Sequence, residues 1–224
     1  MKYFTKEWYE TCQNSGWHLN LSVSKNAEEF SDDYYRDLYT RRRRAFVKEQ
    51  KEMAEAKGEA FDKVAAEVDF MQLHEKTVTR MEESLPLEIR AEVADIRVLA
   101  LDIATKEVRQ KLKAWCEGNK KEADAKVSGY DGLKLEENLC GSIIRTMEMK
   151  TDTLTFKLEG SDVKKVVFKN YKVMEQGGYV LGAEWLQQEV YEAEGGNEYH
   201  ALLMKKDGKL AYLTVFAEEI EFVK

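Results

Sequence analysis

Leu154-Thr155-Phe156-Lys157-Leu158, followed by Lys165-Val166-Val167-Phe168-Lys169, sets apolar against polar side chains at nearly every second position. An extended chain turns successive side chains to opposite faces, so a period of two marks strands with one buried face. Runs of the same kind occupy residues 142–149, 171–175, 186–193, 199–204, 211–217 and 220–223. Gly160-Ser161, Gly177-Gly178, Gly195-Gly196-Asn197 and Asp207-Gly208 fall between them, and Asp-Gly is a strong hairpin signal. Many short strands joined by tight turns predict an antiparallel sheet or small barrel over residues 135–224. Residues 182–194 are two-sided, because Trp185, Leu186, Val190 and Tyr191 also fit a helical stripe.

Toward the N-terminus the period lengthens to about 3.6. Tyr35, Leu38, Tyr39, Phe46 and Met53 recur at helical spacing, and Lys57-Gly58 supplies a stop. Phe61, Val64, Val68, Met71, Val78, Met81 and Leu85 form a second stripe, which Ser84-Leu85-Pro86 breaks. Ile89, Val93, Ile96, Ala100 and Ile103 predict a third helix, bent near Thr105 before Val108, Leu112 and Trp115. The polar residues 117–132, punctuated by Gly118, Gly129 and Gly132, read as a connector. The expected fold is therefore α+β: an antiparallel helical bundle over residues 1–134, then the β region over 135–224.

Charge and cysteine usage narrow the function classes. The 224 residues carry a formal charge of −7, with 24 basic against 26 acidic residues up to position 135 and 11 against 16 beyond it. Affinity for nucleic acid or an anionic membrane rests on basic surface, so neither partner is expected. Cys12, Cys116 and Cys140 are too few and too scattered for a disulfide framework or a zinc knuckle, and no metal or cofactor is expected. The opening stretch MKYFTKEWYETCQ has no apolar signal core and no run approaches a membrane span, which places the chain in the cytoplasm.

No motif reaches a catalytic signature. His74 lies on the second apolar stripe, but a helical di-metal site needs a Glu three residues earlier, where Met71 stands. Glu88, Asp95, Asp102 and Arg109 recur at steps of seven, two helical turns or about 10 Å apart, too far to act together. Arg41 to Arg44 fan around about 300° of a helix, leaving Arg42 at the edge of the buried stripe as a structural ion-pairing residue. Residues 124–136 fail as a calcium loop at Lys126 and Leu135, and Gly177 to Gly182 lacks the lysine of a phosphate loop.

Trp185, Tyr191, Tyr199 and His200, with Glu184, Glu189 and Glu192 between them, form the densest set of recognition-type residues. They fit either a contact face or core positions alternating with solvated acids. The leading expectation is a non-enzymatic protein-interaction module, with Trp185, Tyr199 and His200 as its contact face. The alternative is a hydrolase or small-ligand protein whose pocket, between bundle and sheet, uses His74, Asp95, Asp102 and Cys140. A third reading is an acidic immunity-like protein that neutralises a basic toxin.

Three stretches carry a family likeness: Met1-Lys2-Tyr3-Phe4-Thr5-Lys6-Glu7-Trp8-Tyr9; Leu85-Pro86 with Val93 to Leu101; and Trp185-Leu186 through Glu189-Val190-Tyr191 to Glu198-Tyr199-His200-Ala201-Leu202-Leu203. Together they resemble the bacterial "domain of unknown function 4085" family over most of the chain. Where that family usually shows Trp-Leu-Tyr, this chain has Trp185-Leu186-Gln187. The resemblance implies a bacterial, cytoplasmic protein and brings no activity or catalytic residue with it.

Overall fold

The computed structural model describes residues 1–224, which divide into two compact units. In chain order the elements are α1 (Lys6–Asn14), β1 (Ser22–Val23), a 3-10 turn (Lys25–Ala27), α2 (Asp32–Lys57), α3 (Lys63–Ser84), α4 (Leu87–Arg90), α5 (Ile96–Leu99), β2 (Ile103–Ala104) and α6 (Lys106–Ser128). Eight strands follow: β3 (Ile143–Met149), β4 (Thr153–Glu159), β5 (Lys165–Lys169), β6 (Lys172–Gln176), β7 (Glu184–Ala193), β8 (Gly196–Met204), β9 (Leu210–Ala217) and β10 (Glu219–Val223). No helix is long and apolar enough to cross a membrane.

The helical unit spans Asn14–Lys120. Ser31 caps α2 by accepting from the Tyr34 N–H, and Gly58 ends it in the left-handed conformation at φ 71°. Asp62 caps α3 through the Val64 and Ala65 N–H groups. The two helices pair as an antiparallel hairpin, with Tyr39 and Phe46 against Phe70 at 5.1 and 5.5 Å and Tyr35 over His74 at 5.9 Å. A second cluster gathers Leu21, Met81, Leu85, Ile89, Leu99, Val108, Leu112 and Cys116.

The expected third helix is replaced by two single turns and a short parallel bridge. Asp95 accepts from the Arg97 N–H, Asp102 adopts φ 63°, and Thr105 caps α6 through the Val108 N–H. Each of these residues starts or stops a helix, so the stripe from Ile89 to Ile103 is cut twice. Residues 117–128, expected as connector, instead continue α6. Arg42 donates from Nε to the Leu101 carbonyl at 3.1 Å, so its neighbour is a main-chain oxygen rather than an ion-pair partner.

The sheet unit combines Met1–Gln13 with Lys121–Lys224, a division that differs from a boundary at residues 134/135 because the opening segment joins the sheet. Its strand order is β10-β5-β4-β3-β7-β8-β9-β6. The sheet stays open, with β10 and β6 as its edges, and does not close into a barrel. One pair, Ile143 with Glu184, joins β3 to β7. Across the core, Phe156 meets Trp185 at 6.1 Å and Phe168 meets Tyr199 at 5.2 Å, so the two four-stranded halves face each other. The two-sided stretch 182–194 is strand, since β7 pairs along its length with β8.

Candidate functional site

Strict alternation along β7 would put Trp185, Gln187, Glu189 and Tyr191 on one face. The register with β8 slips between Trp185 and Gln187, and this bulge reverses the phase. Trp185 and Val190 therefore join the core beside Tyr199, Ala201 and Leu203, while Glu189 and Tyr191 turn to the outer face. There Glu189 stands opposite His200, and His200 opposite Thr214, giving one polar row across β7, β8 and β9.

This row is not solvated. Glu189 is 0% exposed, and His200 and Thr214 are buried with it. The Glu189 carboxylate accepts from the main-chain N–H groups of Lys2 (2.7 Å), Tyr3 (2.6 Å) and Phe4 (2.5 Å), and from the Tyr191 hydroxyl (2.8 Å). A bend at Tyr3 and Phe4 lets three consecutive N–H groups converge, forming an anion nest before α1. The Lys6 N–H adds a bond to the Tyr212 hydroxyl at 2.8 Å.

Burial alone would raise the Glu189 pKa, but the nest and Tyr191 more than offset it and hold the carboxyl below its ordinary value. The Tyr191 phenol is pushed far up by burial and then by Glu189. Burial, and then the Met1 amino group, lower the pKa of His200 against the opposing pull of Glu198, Glu189 and Glu175.

Thr214 Oγ1 and the Met1 amino nitrogen lie 3.2 and 3.1 Å from His200 Nδ1, while Glu198 lies 3.3 Å from Nε2. The hydroxyl–imidazole–carboxylate order resembles a nucleophile relay. A cavity of about 660 Å³ beside it is lined by Met1, Lys2, Asp131, Tyr191, Glu192 and His200, among others, but not by Thr214. The Thr214 hydroxyl is buried against His200, and Glu189 in the same row holds the Met1–Phe4 segment.

The expected contact face at Trp185, Tyr199 and His200 is corrected by burial. Trp185 and Tyr199 are 0% exposed with rings 6.0 Å apart in the core, and the Tyr199 hydroxyl donates to Gln188 Oε1. His200 lies on the opposite face, and the Met1–Phe4 segment covers the row it belongs to. The alternative set is dispersed. Cys140 lines a separate cavity of about 480 Å³ in the sheet unit, with Phe4, Tyr130 and Gln188. His74, Asp95 and Asp102 belong to the helical unit.

Asp95 is committed to structure: besides capping α5, it accepts three side-chain hydrogen bonds from Arg97, 2.8 Å at the closest. Arg97 also reaches Asp32 at 2.9 Å and lies over the rings of Tyr35 and Phe30. His74 is buried among Tyr35, Tyr39 and Phe70, with Nε2 3.1 Å from the Tyr35 hydroxyl and no partner at Nδ1. Burial lowers its pKa. Asp102 is half-buried, which raises its pKa against the influence of Arg42. No three His, Cys, Asp or Glu side chains are grouped to hold a metal ion.

One surface feature lay within the sequence pattern without being singled out. Val64, Val68 and Met71 belong to the second stripe, yet on α3 they are 70%, 40% and 43% exposed. Ala66, Phe70, His74 and Met81 take the buried side instead, so the apolar arc of α3 is wider than its contact with the rest of the unit.

No family model matches the chain, and neither a curated protein nor a solved structure matches it.

Proposed function

We propose that the chain is a non-enzymatic protein-interaction module of the cytoplasm, with α3 as its contact element. The supporting observation is the line of exposed apolar side chains at Val64, Val68 and Met71. Their steps of four and three place them on one side of the helix, the spacing with which an amphipathic helix enters a partner's apolar groove. The exposed ion pairs Lys63–Glu67, Lys48–Glu52 and Lys51–Glu55 lie on the same hairpin and keep it solvated. Full burial of one such side chain contributes ~1.5–3 kcal/mol, so the exposed fractions of the three supply about 3 kcal/mol on docking. That is a factor of about 100 in affinity.

The test places a photo-crosslinking amino acid at Gln72, beside the stripe, in cells. A discrete adduct with one protein is expected, and V64K/V68K/M71K should abolish it while the far-UV circular dichroism stays that of the unsubstituted chain, since all three side chains reach solvent. The reading fails if no discrete adduct forms, or if the triple variant leaves the adduct intact.

A further inference from the structure

We propose that the cavity beside Cys140 is a binding site for a peptide-like ligand, a single extended amino-acid residue with an amide bond on either side. The site lies at a gap in the edge of β7 that faces away from β8, and it is independent of α3. At one end of the gap Trp185 is paired: its N–H donates to the Ser142 carbonyl and its carbonyl accepts from the Gly141 N–H, both at 2.8 Å. At the other end the Val190 carbonyl accepts from the Leu133 N–H at 2.7 Å, and the Val190 N–H donates to the Tyr130 hydroxyl at 3.1 Å. The main-chain groups of successive strand residues turn to alternate edges, so Gln188, two residues before Val190, presents its N–H and carbonyl to this same edge. The register with β8 runs unbroken from Gln187 to Ala193, which fixes that phase. Neither Gln188 group has a hydrogen-bond partner in the protein.

The chain that closes the gap is pinned on both sides of it. Gly132 allows the close approach at Val190, since a Cβ there would lie 2.5 Å from the Val190 carbonyl oxygen. Farther along, the Gln188 side-chain amide donates to the Glu137 carbonyl at 2.9 Å, and Asn138 Oδ1 accepts from the Cys140 N–H at 2.9 Å. Residues 133–138 and the β7 edge at Gln187, Gln188 and Val190 together line the cavity of about 480 Å³. A residue in antiparallel register with Gln188 would accept from its N–H and donate to its carbonyl, with its side chain on the face that the Gln188 side chain takes. That is the core-side face, where Gln188 Oε1 accepts from the Tyr199 hydroxyl at 2.8 Å. Leu135 lines the cavity and packs against the core cluster, so an apolar ligand side chain fits there.

The experiment titrates the isotope-labelled full-length chain with N-acetyl-leucinamide and follows the backbone amide resonances by NMR. Saturable shifts are expected at Gln188, Val190 and Cys140, with a dissociation constant on the order of 1 mM for a ligand of this size. N-acetyl-N-methyl-leucinamide lacks the N–H that would reach the Gln188 carbonyl and should bind at least about tenfold more weakly. Cys140→Trp fills the cavity from its exposed wall and should abolish the shifts. Acetyl-Ala-Leu-Ala-amide separates the two sources of this chemistry: tighter binding than N-acetyl-leucinamide identifies a peptide chain threading the gap, and its exclusion identifies a single capped residue. No saturable shift at Gln188 up to about 20 mM N-acetyl-leucinamide overturns the proposal, as does equal binding of the N-methyl compound or binding that Cys140→Trp leaves unchanged. Should Cys140→Trp fail to fold, the comparison with the N-methyl compound on the unsubstituted chain decides.

Discussion

Glu189→Gln keeps the volume of the side chain and removes its charge. In the fold, Oε1 accepts from Tyr3 and Phe4, while Oε2 accepts from Lys2 and the Tyr191 hydroxyl. A glutamine oriented with its oxygen toward Tyr3 and Phe4 turns its own NH2 toward two donors. Each orphaned donor costs ~1–3 kcal/mol, so the substitution should cost about 3 kcal/mol in all, capped by the free energy that docks the segment. For a chain of this size that lowers the melting temperature by about 6–12 °C.

Differential scanning calorimetry at pH 7 reads the shift, and its pH dependence makes the test sharper. The folded-state pKa of Glu189 lies below the ordinary 4.5, so its stabilisation is fully present above that value and disappears as pH falls through the folded pKa. The gap between wild type and Glu189→Gln should therefore be constant from pH 7 to about 5 and close in stronger acid. A melting temperature within about 1 °C of wild type at pH 7, or a gap that widens in acid, would refute the reasoning.

Other perturbations probe the helical unit and the core. Arg97→Ala leaves the buried Asp95 carboxylate without its cation and should cost about 3 kcal/mol; adding Asp95→Asn should recover part of this in a double-mutant cycle by urea unfolding. Asp102, at φ 63°, should tolerate Gly with unchanged or higher stability, whereas Val there should cost about 1–2 kcal/mol; similar urea midpoints for the two would remove the strain argument. His74 has a pKa below its ordinary 6.5, so folding loses stability as pH falls through 6.5 toward the folded value. His74→Phe should flatten that part of the pH–stability curve, and a curve that keeps its slope places the titration elsewhere. Trp185→Ala should cost about 3–5 kcal/mol by urea unfolding while leaving the α3 adduct in place, as a core residue and not a contact residue requires.

Most strands were legible because their causes are local. The 154–158 alternation became β4, and Lys165 to Lys169 became β5 with those bounds. Gly58 and Pro86 ended helices where their backbone preferences demand. The third helix misled because apolar spacing and capping compete over the same residues. Asp95, Asp102 and Thr105 each form a bond or take a dihedral that a continuous helix forbids, and the stripe records only burial. Val64, Val68 and Met71 misled in the opposite way: spacing shows that they share a side of α3, but not whether anything covers it.

The sequence by itself determined which half of the chain is mainly helical and which mainly extended, since periodicity and turn residues act over a few positions. It also put an acid and a tyrosine at Glu189 and Tyr191, two residues apart and so on one face of a strand. Only the tertiary structure decided which face that is, because a single inserted residue near Trp185 inverts every side chain beyond it. It likewise decided that this face is buried. The groups that cover Glu189 come from Lys2, Tyr3 and Phe4, more than 180 residues away, and they are main-chain N–H groups that leave no mark in the side-chain pattern.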